Sequence, residues 1–140
     1  MLEGFEGFDP IEDDEHVALG ADPERRVLLL VRKVSGMVSA AHIQAMFERS
    51  QAELGEPGEW SILFDTRAAI GRGGPEFEVE AKQLRDYMLE HYNRVAVVVR
   101  SALGEMQVQR YEDPAIRMLV FRSVERALAF LALHDRRAAG

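Results

Sequence analysis

The 140-residue chain contains no cysteine. That excludes a disulfide framework, a thiolate zinc site and a cysteine nucleophile. No apolar run approaches the ~18 residues that a membrane-crossing helix requires. The acidic opening, MLEGFEGFDPIEDDE, is not the basic-then-apolar pattern of a secretory signal. Cytoplasmic residence is therefore expected. Lysine is scarce: 15 of the 17 basic residues are arginine, which a GC-rich genome explains without invoking phosphate recognition. The four histidines, His16, His42, His91 and His134, stand on four different predicted elements. No two of them share the spacing of metal ligands on one helix face, so no metal site is expected. His91 is expected to meet the terminal carbonyls of its helix. The nucleophile motif GxSxG is absent, and Ser61 lies inside a predicted strand. No cofactor is implied and no catalytic residue is assigned.

The net charge of −7 is unevenly spread. Seven acids and no base fall in residues 1–15, whereas the remaining 125 residues balance at 17 acids and 17 bases. A nucleic-acid binder needs an excess of positive charge, so that class is set aside. The stretch 1–15 is expected to be a mobile acidic tail, with residues 16–140 forming one domain. Phe5 and Phe8 are either anchors of an acidic linear motif or rings that fold back on the domain.

From residue 16 the pattern becomes regular. "HVALGADPERRVLLLVRKVSG" predicts two strands around a turn at Ala21–Glu24, the second strand being Val27–Val34. "SAAHIQAMFERSQAELG" predicts a helix capped by Ser39 and stopped by Gly55, with Ile43, Met46, Phe47 and Leu54 near one face. "WSILFD" reads as a buried strand. A helix then starts at Pro75, where the missing N–H costs nothing. "RVAVVVR" and "IRMLVF" are further strands, "SALGEMQVQRYED" is weakly helical, and "SVERALAFLALHDRR" is a helix capped by Ser123. Trp60, Phe64, Tyr87, Met88 and Tyr92 are expected to be ordinary core rather than the lining of a cavity. Met106, Val108 and Tyr111 are poorly periodic, as in a partner surface or ligand lid.

The segment "WSILFDTRAAIGRGGPEFE" invites comparison with phosphate-binding loops. No Lys-Ser/Thr follows its glycines, and the spacing does not match a dinucleotide fingerprint. Glu76 and Glu78 at the helix start would repel a phosphate there. The glycines therefore build a turn.

The element order β-β-α-β-α-β-α-β-α, with the stretches "WSILFDTRAA", "PEFEVEAKQL", "NRVAVVVRSALGEMQVQR" and "MLVFRSVERALAFL", resembles the SpoIIAA-like relatives of the STAS domain family over roughly residues 16–133. The resemblance implies an α/β sandwich with a mixed sheet of about five strands and about four helices. In anti-sigma-factor antagonists of that family, an Asp-Ser pair precedes the helix after the middle strand, and its serine is phosphorylated by a partner kinase. Here Asp65 is followed by Thr66, but nine residues separate Asp65 from Pro75. The family's phosphoserine has no counterpart at this helix start, and Thr66 stands as a candidate substitute phosphoacceptor.

If the last three strands run parallel, their carboxyl ends share one edge, where open α/β sheets bind ligands. That edge would gather Asp65, Thr66, Arg67, Arg100, Ser101, Arg122 and Ser123, with Arg72 reaching over from the loop. The leading expectation is a non-enzymatic regulatory or protein-interaction module of the bacterial cytoplasm, its partner a protein, with homodimerisation as a further option. The alternative is a carrier or sensor of a small lipophilic or anionic ligand held near Arg67, Arg100 and Arg122. An enzyme stands third.

Overall fold

In the computed structural model, residues 4–34, 38–68, 75–100 and 117–132 are described, 75–77 by their backbone alone. Six strands lie side by side in chain order: β1 (Asp9–Asp13), β2 (Val17–Asp22), β3 (Val27–Arg32), β4 (Ser61–Asp65), β5 (Val95–Val98) and β6 (Met118–Phe121). The pairs β1–β2 and β2–β3 are antiparallel. From β3 to β6 every pairing is parallel. Among the described residues the α-helices are α1 (Ala40–Leu54), α2 (Pro75–His91) and α3 (Val124–Leu131), and a short 3-10 turn at Pro57–Glu59 precedes β4. None of the described helices is long and apolar enough to cross a membrane.

Alternation along the strands sorts the side chains into two cores. On the first face, Val17, Leu19, Leu28, Leu30, Ile62, Phe64, Val95 and Val97 pack beneath Ile43, Met46 and Phe47 of α1 and Leu84 and Met88 of α2. On the second face, Val27, Leu29, Leu63, Ala96 and Val98 pack against Ala127 and Leu131 of α3, and against Phe5 and Phe8. Because both faces are covered, β2, β4 and β5 are buried along their whole length. This is why their sequences read as continuous apolar runs rather than clean alternation. The chain steps one strand the same way from β3 to β4 and from β4 to β5. Crossovers of one hand then put α1 and α2 on the same face.

The helix signals are realised atom by atom. Ser39 Oγ accepts the His42 amide at 3.1 Å, and Gly55 ends α1 with a φ of 92° that side-chain-bearing residues avoid. Ser123 Oγ accepts the Arg126 amide at 3.3 Å. The carbonyls at the end of α2 are taken by Arg117 rather than His91: its Nη1 donates to Tyr92 and Asn93 at 2.8 Å and its Nη2 to Leu89 at 2.5 Å. A guanidinium suits the negative end of a helix. His91 is exposed and packs its ring against Tyr87, 4.5 Å between centroids.

The sheet has six strands where about five are expected. The added strand is β1, inside the stretch read from sequence as a mobile acidic tail. Phe5 and Phe8 are 7% exposed, and Ile11 packs at the rim of the first core. The acids of this stretch meet cations from other elements. Arg49 grips Glu12 through two bonds of 2.9 and 2.7 Å, and Lys33 pairs with Asp13. The first turn falls at residues 23–26 rather than Ala21–Glu24, because the ladder continues to the pair Asp22↔Val27. The buried Asp22 carboxylate accepts the amides of Glu24 and Arg25, and Arg26 adopts a φ of 56°. The expected helix at "SALGEMQVQRYED" lies outside the described residues, as do Arg72, Ser101, His134, Met106, Val108 and Tyr111.

Candidate functional site

The parallel strands end in step. Val31, Asp65, Val98 and Phe121 occupy one rung of β3, β4, β5 and β6. Thr66 and Arg122 therefore lie one residue beyond that rung, and Arg67, Arg100 and Ser123 two residues beyond it. The register thus brings the described members of the expected edge to one side of the sheet.

Their chemistry differs residue by residue. Asp65 closes β4 and is 5% exposed. Its Oδ1 accepts the Arg67 amide at 3.0 Å and Nε at 2.9 Å, and its Oδ2 accepts Nη2 at 2.9 Å. The loop is thereby folded back on the strand end, and the two-pronged pair fixes the guanidinium plane. The hydrogen bonds from Arg67 to Asp65 raise the arginine's pKa further. About two-fifths of the Arg67 side chain remains exposed, and the Phe5 ring lies 5.9 Å from its guanidinium carbon. Thr66 anchors the same turn to the next strand: both its amide (2.9 Å) and its hydroxyl (2.8 Å) donate to the Val98 carbonyl. A phosphate there would replace this donor by acceptor oxygens facing a carbonyl. Ser123 is committed to capping α3. Arg100 and Arg122 are exposed.

Arg32, the last residue of β3, belongs to this edge and is not singled out by the sequence, where a terminal arginine reads as a strand boundary. Its parity with Leu28 and Leu30 turns it toward the first face. Its Nε is buried without a hydrogen-bond partner, and burial lowers its pKa.

A second cluster arises from residues the sequence keeps apart. Asp14, Glu15, His16, Val38, Ser39 and His42 line an open cleft of about 380 Å³. His42 Nε2 lies 2.7 Å from Asp14 Oδ2, and the His16 and His42 rings meet edge to face with centroids 6.1 Å apart. Asp14 Oδ1 accepts the amides of His16 (2.8 Å) and Val17 (2.9 Å). Burial pushes the Asp14 carboxyl up, but these amides and His42 outweigh it and bring the pKa down to about 2. No group of three metal-ligating side chains forms among the described residues. The cleft reads as a tether between the β1–β2 turn and the start of α1. Only pairing β1 with β2 reveals it.

Comparison with known proteins bears on the fold. A crystal structure of an uncharacterised protein of the DUF3478 family with a SpoIIAA-like fold, from Shewanella loihica PV-4, is similar with a TM-score of 0.54 at 16% sequence identity. The alignment covers 89% of this chain and 91% of that one. No curated protein matches the chain. The SpoIIAA-like family model matches residues 29–132, so β1, β2 and the phenylalanines before them lie outside the matched stretch, which is shorter than the expected 16–133. With about three-quarters of its length matched, the chain belongs to the SpoIIAA-like family.

Proposed function

We propose that this SpoIIAA-like domain is a non-enzymatic regulatory module of the bacterial cytoplasm that binds a protein partner through the carboxyl edge of its parallel strands. One observation carries the reading: Arg67 is held in place by two-pronged bonds to the buried Asp65 while about two-fifths of its side chain stays exposed. A pre-ordered arginine loses little side-chain entropy when it docks, which is why such residues recur as interface hot spots. The test is affinity capture from the native lysate with the wild-type chain and with Arg67→Glu. Specific partners should be lost with the variant while its thermal unfolding stays cooperative. An unchanged set of partners would remove Arg67 from the interface.

A second reading is favoured by Arg32. Its unpartnered buried Nε at the same edge suits a small anion, carboxylate or phosphate, entering from the first face. Titration with inorganic phosphate and acetate, followed by the amide signals of Arg32 and Thr66, should show saturable shifts that Arg32→Leu abolishes. Shifts that persist in Arg32→Leu would place the anion elsewhere.

A further inference from the structure

The second face of the sheet is closed in an unusual way. Among the described residues, α3 covers part of it, and residues 4–8, which belong to no helix or strand, cover another part. The Phe5 and Phe8 rings meet edge to face at 6.2 Å and are buried with Leu29, Leu63, Ala96, Val98, Ala127 and Leu131. A guanidinium faces each ring: Arg67 lies 5.9 Å from the centre of Phe5, and Arg25 lies 5.0 Å from that of Phe8. Arg25 Nη2 also donates to the Glu6 carbonyl at 2.9 Å.

This cover is attached differently from the elements around it. The β1 ladder begins at Asp9↔Ala21, and none of residues 4–8 pairs with a strand. Gly4 and Gly7 take φ values of 84° and 92°. A side chain at Gly7 would crowd Asp22 Oδ2 and Arg25 Nη2, at 3.1 and 3.2 Å. The segment is threaded closely past the Asp22–Arg25 pair, yet it can leave without breaking a strand pairing. Among the described residues its contacts include two buried rings, two cation–π contacts and one hydrogen bond from a side chain. They are those of a bound peptide.

We propose that the groove between this face, α3, Arg25 and Arg67 is a peptide-docking site that residues 4–8 occupy as a built-in ligand. The partner that displaces them is a protein segment with two phenylalanines three positions apart and an acidic residue beside them. The groove defines that chemistry: two ring-sized apolar seats, each faced by an arginine that favours a π face and a neighbouring carboxylate. Glu6 and Asp9 supply the acidity in the built-in copy. This deepens the proposed function, on which it rests through Arg67, because the ring that fills the groove also lies over that guanidinium. The covalent tether gives residues 4–8 an effective concentration on the order of millimolar. The resident segment therefore suppresses weak competitors and yields to a partner that adds contacts.

The test uses the full chain and a fluorescent peptide of the sequence LEGFEGFDP. The peptide should bind Phe5→Ala/Phe8→Ala at least about tenfold more tightly than the wild-type chain, from which it must evict a tethered copy. A peptide with both phenylalanines replaced by alanine should bind neither. If the double alanine variant fails to fold, Phe5→Leu/Phe8→Leu decides, since it keeps apolar cover but loses both aromatic faces. A gain of about fivefold or more is expected for it, the loss of two exposed-type cation–π contacts. Equal affinity for wild-type and variant chains, or no binding to a folded variant, overturns the proposal. So does light scattering that finds a wild-type dimer which the leucine variant dissolves, because the rings would then belong to a second copy. If the peptide fails while Arg67→Glu still loses partners, the docking groove falls and the strand-edge reading stands. If the peptide binds while Arg67→Glu loses nothing, the reverse holds.

Discussion

The two faces of the sheet are closed by different means. Over the first, α1 and α2 carry fully buried side chains and are tied to each other, with Glu80 of α2 accepting the Ala40 amide at the start of α1 at 2.6 Å. Gln51 of α1 donates to the hydroxyl of Tyr92 at 2.8 Å, and burial raises the pKa of that phenol. Over the second, one short helix shares the work with five residues lacking regular structure. The first cover cannot lift without unmaking crossovers between parallel strands, whereas part of the second can. Stability is expected to reside on the helix-covered face and adaptability on the other, the division expected where an interaction site is drawn from the least stable part of a fold.

Paired substitutions of phenylalanine would break that comparison most directly. Phe47 is fully buried and packs against Tyr87 at 6.1 Å and Tyr92 at 5.4 Å. Phe47→Ala should cost about 3–5 kcal/mol, because helices anchored at both ends cannot collapse into the space. Phe5→Ala should cost only about 1–2 kcal/mol, near the low end for exposing a phenylalanine, because its segment can relax away from the sheet. Urea unfolding of both variants measures the difference. Similar losses would mean that residues 4–8 are as integral as a helix, and the contrast between the faces would disappear.

The legibility of each region follows the same division. β3, β4 and β5, the caps of Ser39 and Ser123 and the start of α2 at Pro75 are local in cause, and the sequence displays them. The gathering of Asp65, Thr66 and Arg67 at a strand edge was legible as well, since it needs only parallel strands. Residues 1–15 were not, because seven acids outweigh two phenylalanines and an isoleucine in any reading of composition. Asp13 and Glu12 are paired with Lys33 and Arg49, which fall beside them only after β1 pairs with β2. The capping of α2 by Arg117 and the meeting of His16 with His42 depend in the same way on contacts between distant segments. Arg32 escaped notice for a different reason: a charged residue at a strand end signals solvent, and only the fold shows that its Nε is buried.

A smaller effect sharpens the contrast at the strand edge. Thr66→Val removes the hydroxyl donated to the Val98 carbonyl and should cost about 0.5–1.5 kcal/mol, the usual net value of one hydrogen bond. The amide of residue 66 still reaches the same carbonyl, so the turn should persist and partner capture through Arg67 should survive. Thr66→Glu places an anion beside that carbonyl and should destabilise more than valine does. Thermal unfolding of the two variants gives the order. A glutamate variant as stable as wild type would favour Thr66 as a phosphoacceptor.

Acid should distinguish the faces most finely, because an aspartate closes each turn of the β1–β2–β3 meander. Burial raises the Asp14 pKa, but the amides of Val17 and His16 and the His42 side chain lower it to about 2. Burial also raises that of Asp22, and its bonds from the Arg25 side chain and from the Arg25 and Glu24 amides lower it below the usual carboxylate value. A carboxylate with a depressed folded pKa contributes stability above its unfolded value near 3.8. That stability is lost as pH falls from there through the folded value. Below about pH 4 both turns should therefore weaken, with different results. Loss of charge on Asp14 loosens the tether to α1 on the first face, which two helices still hold. Loss of charge on Asp22 frees Arg25, which faces Phe8 and holds the Glu6 carbonyl. The side-chain signals of Phe5 and Phe8 should accordingly broaden or shift at a higher pH than those of Phe47 and Met88. Asp22→Asn, which keeps residue 22 uncharged at every pH, should leave the Phe5 and Phe8 signals loosened already at neutral pH, while Asp14→Asn should leave the onset in place. Simultaneous loss of all four signals in the wild-type chain would mean that the acid-sensitive step is global unfolding, and that the second face has no looser cover to lose.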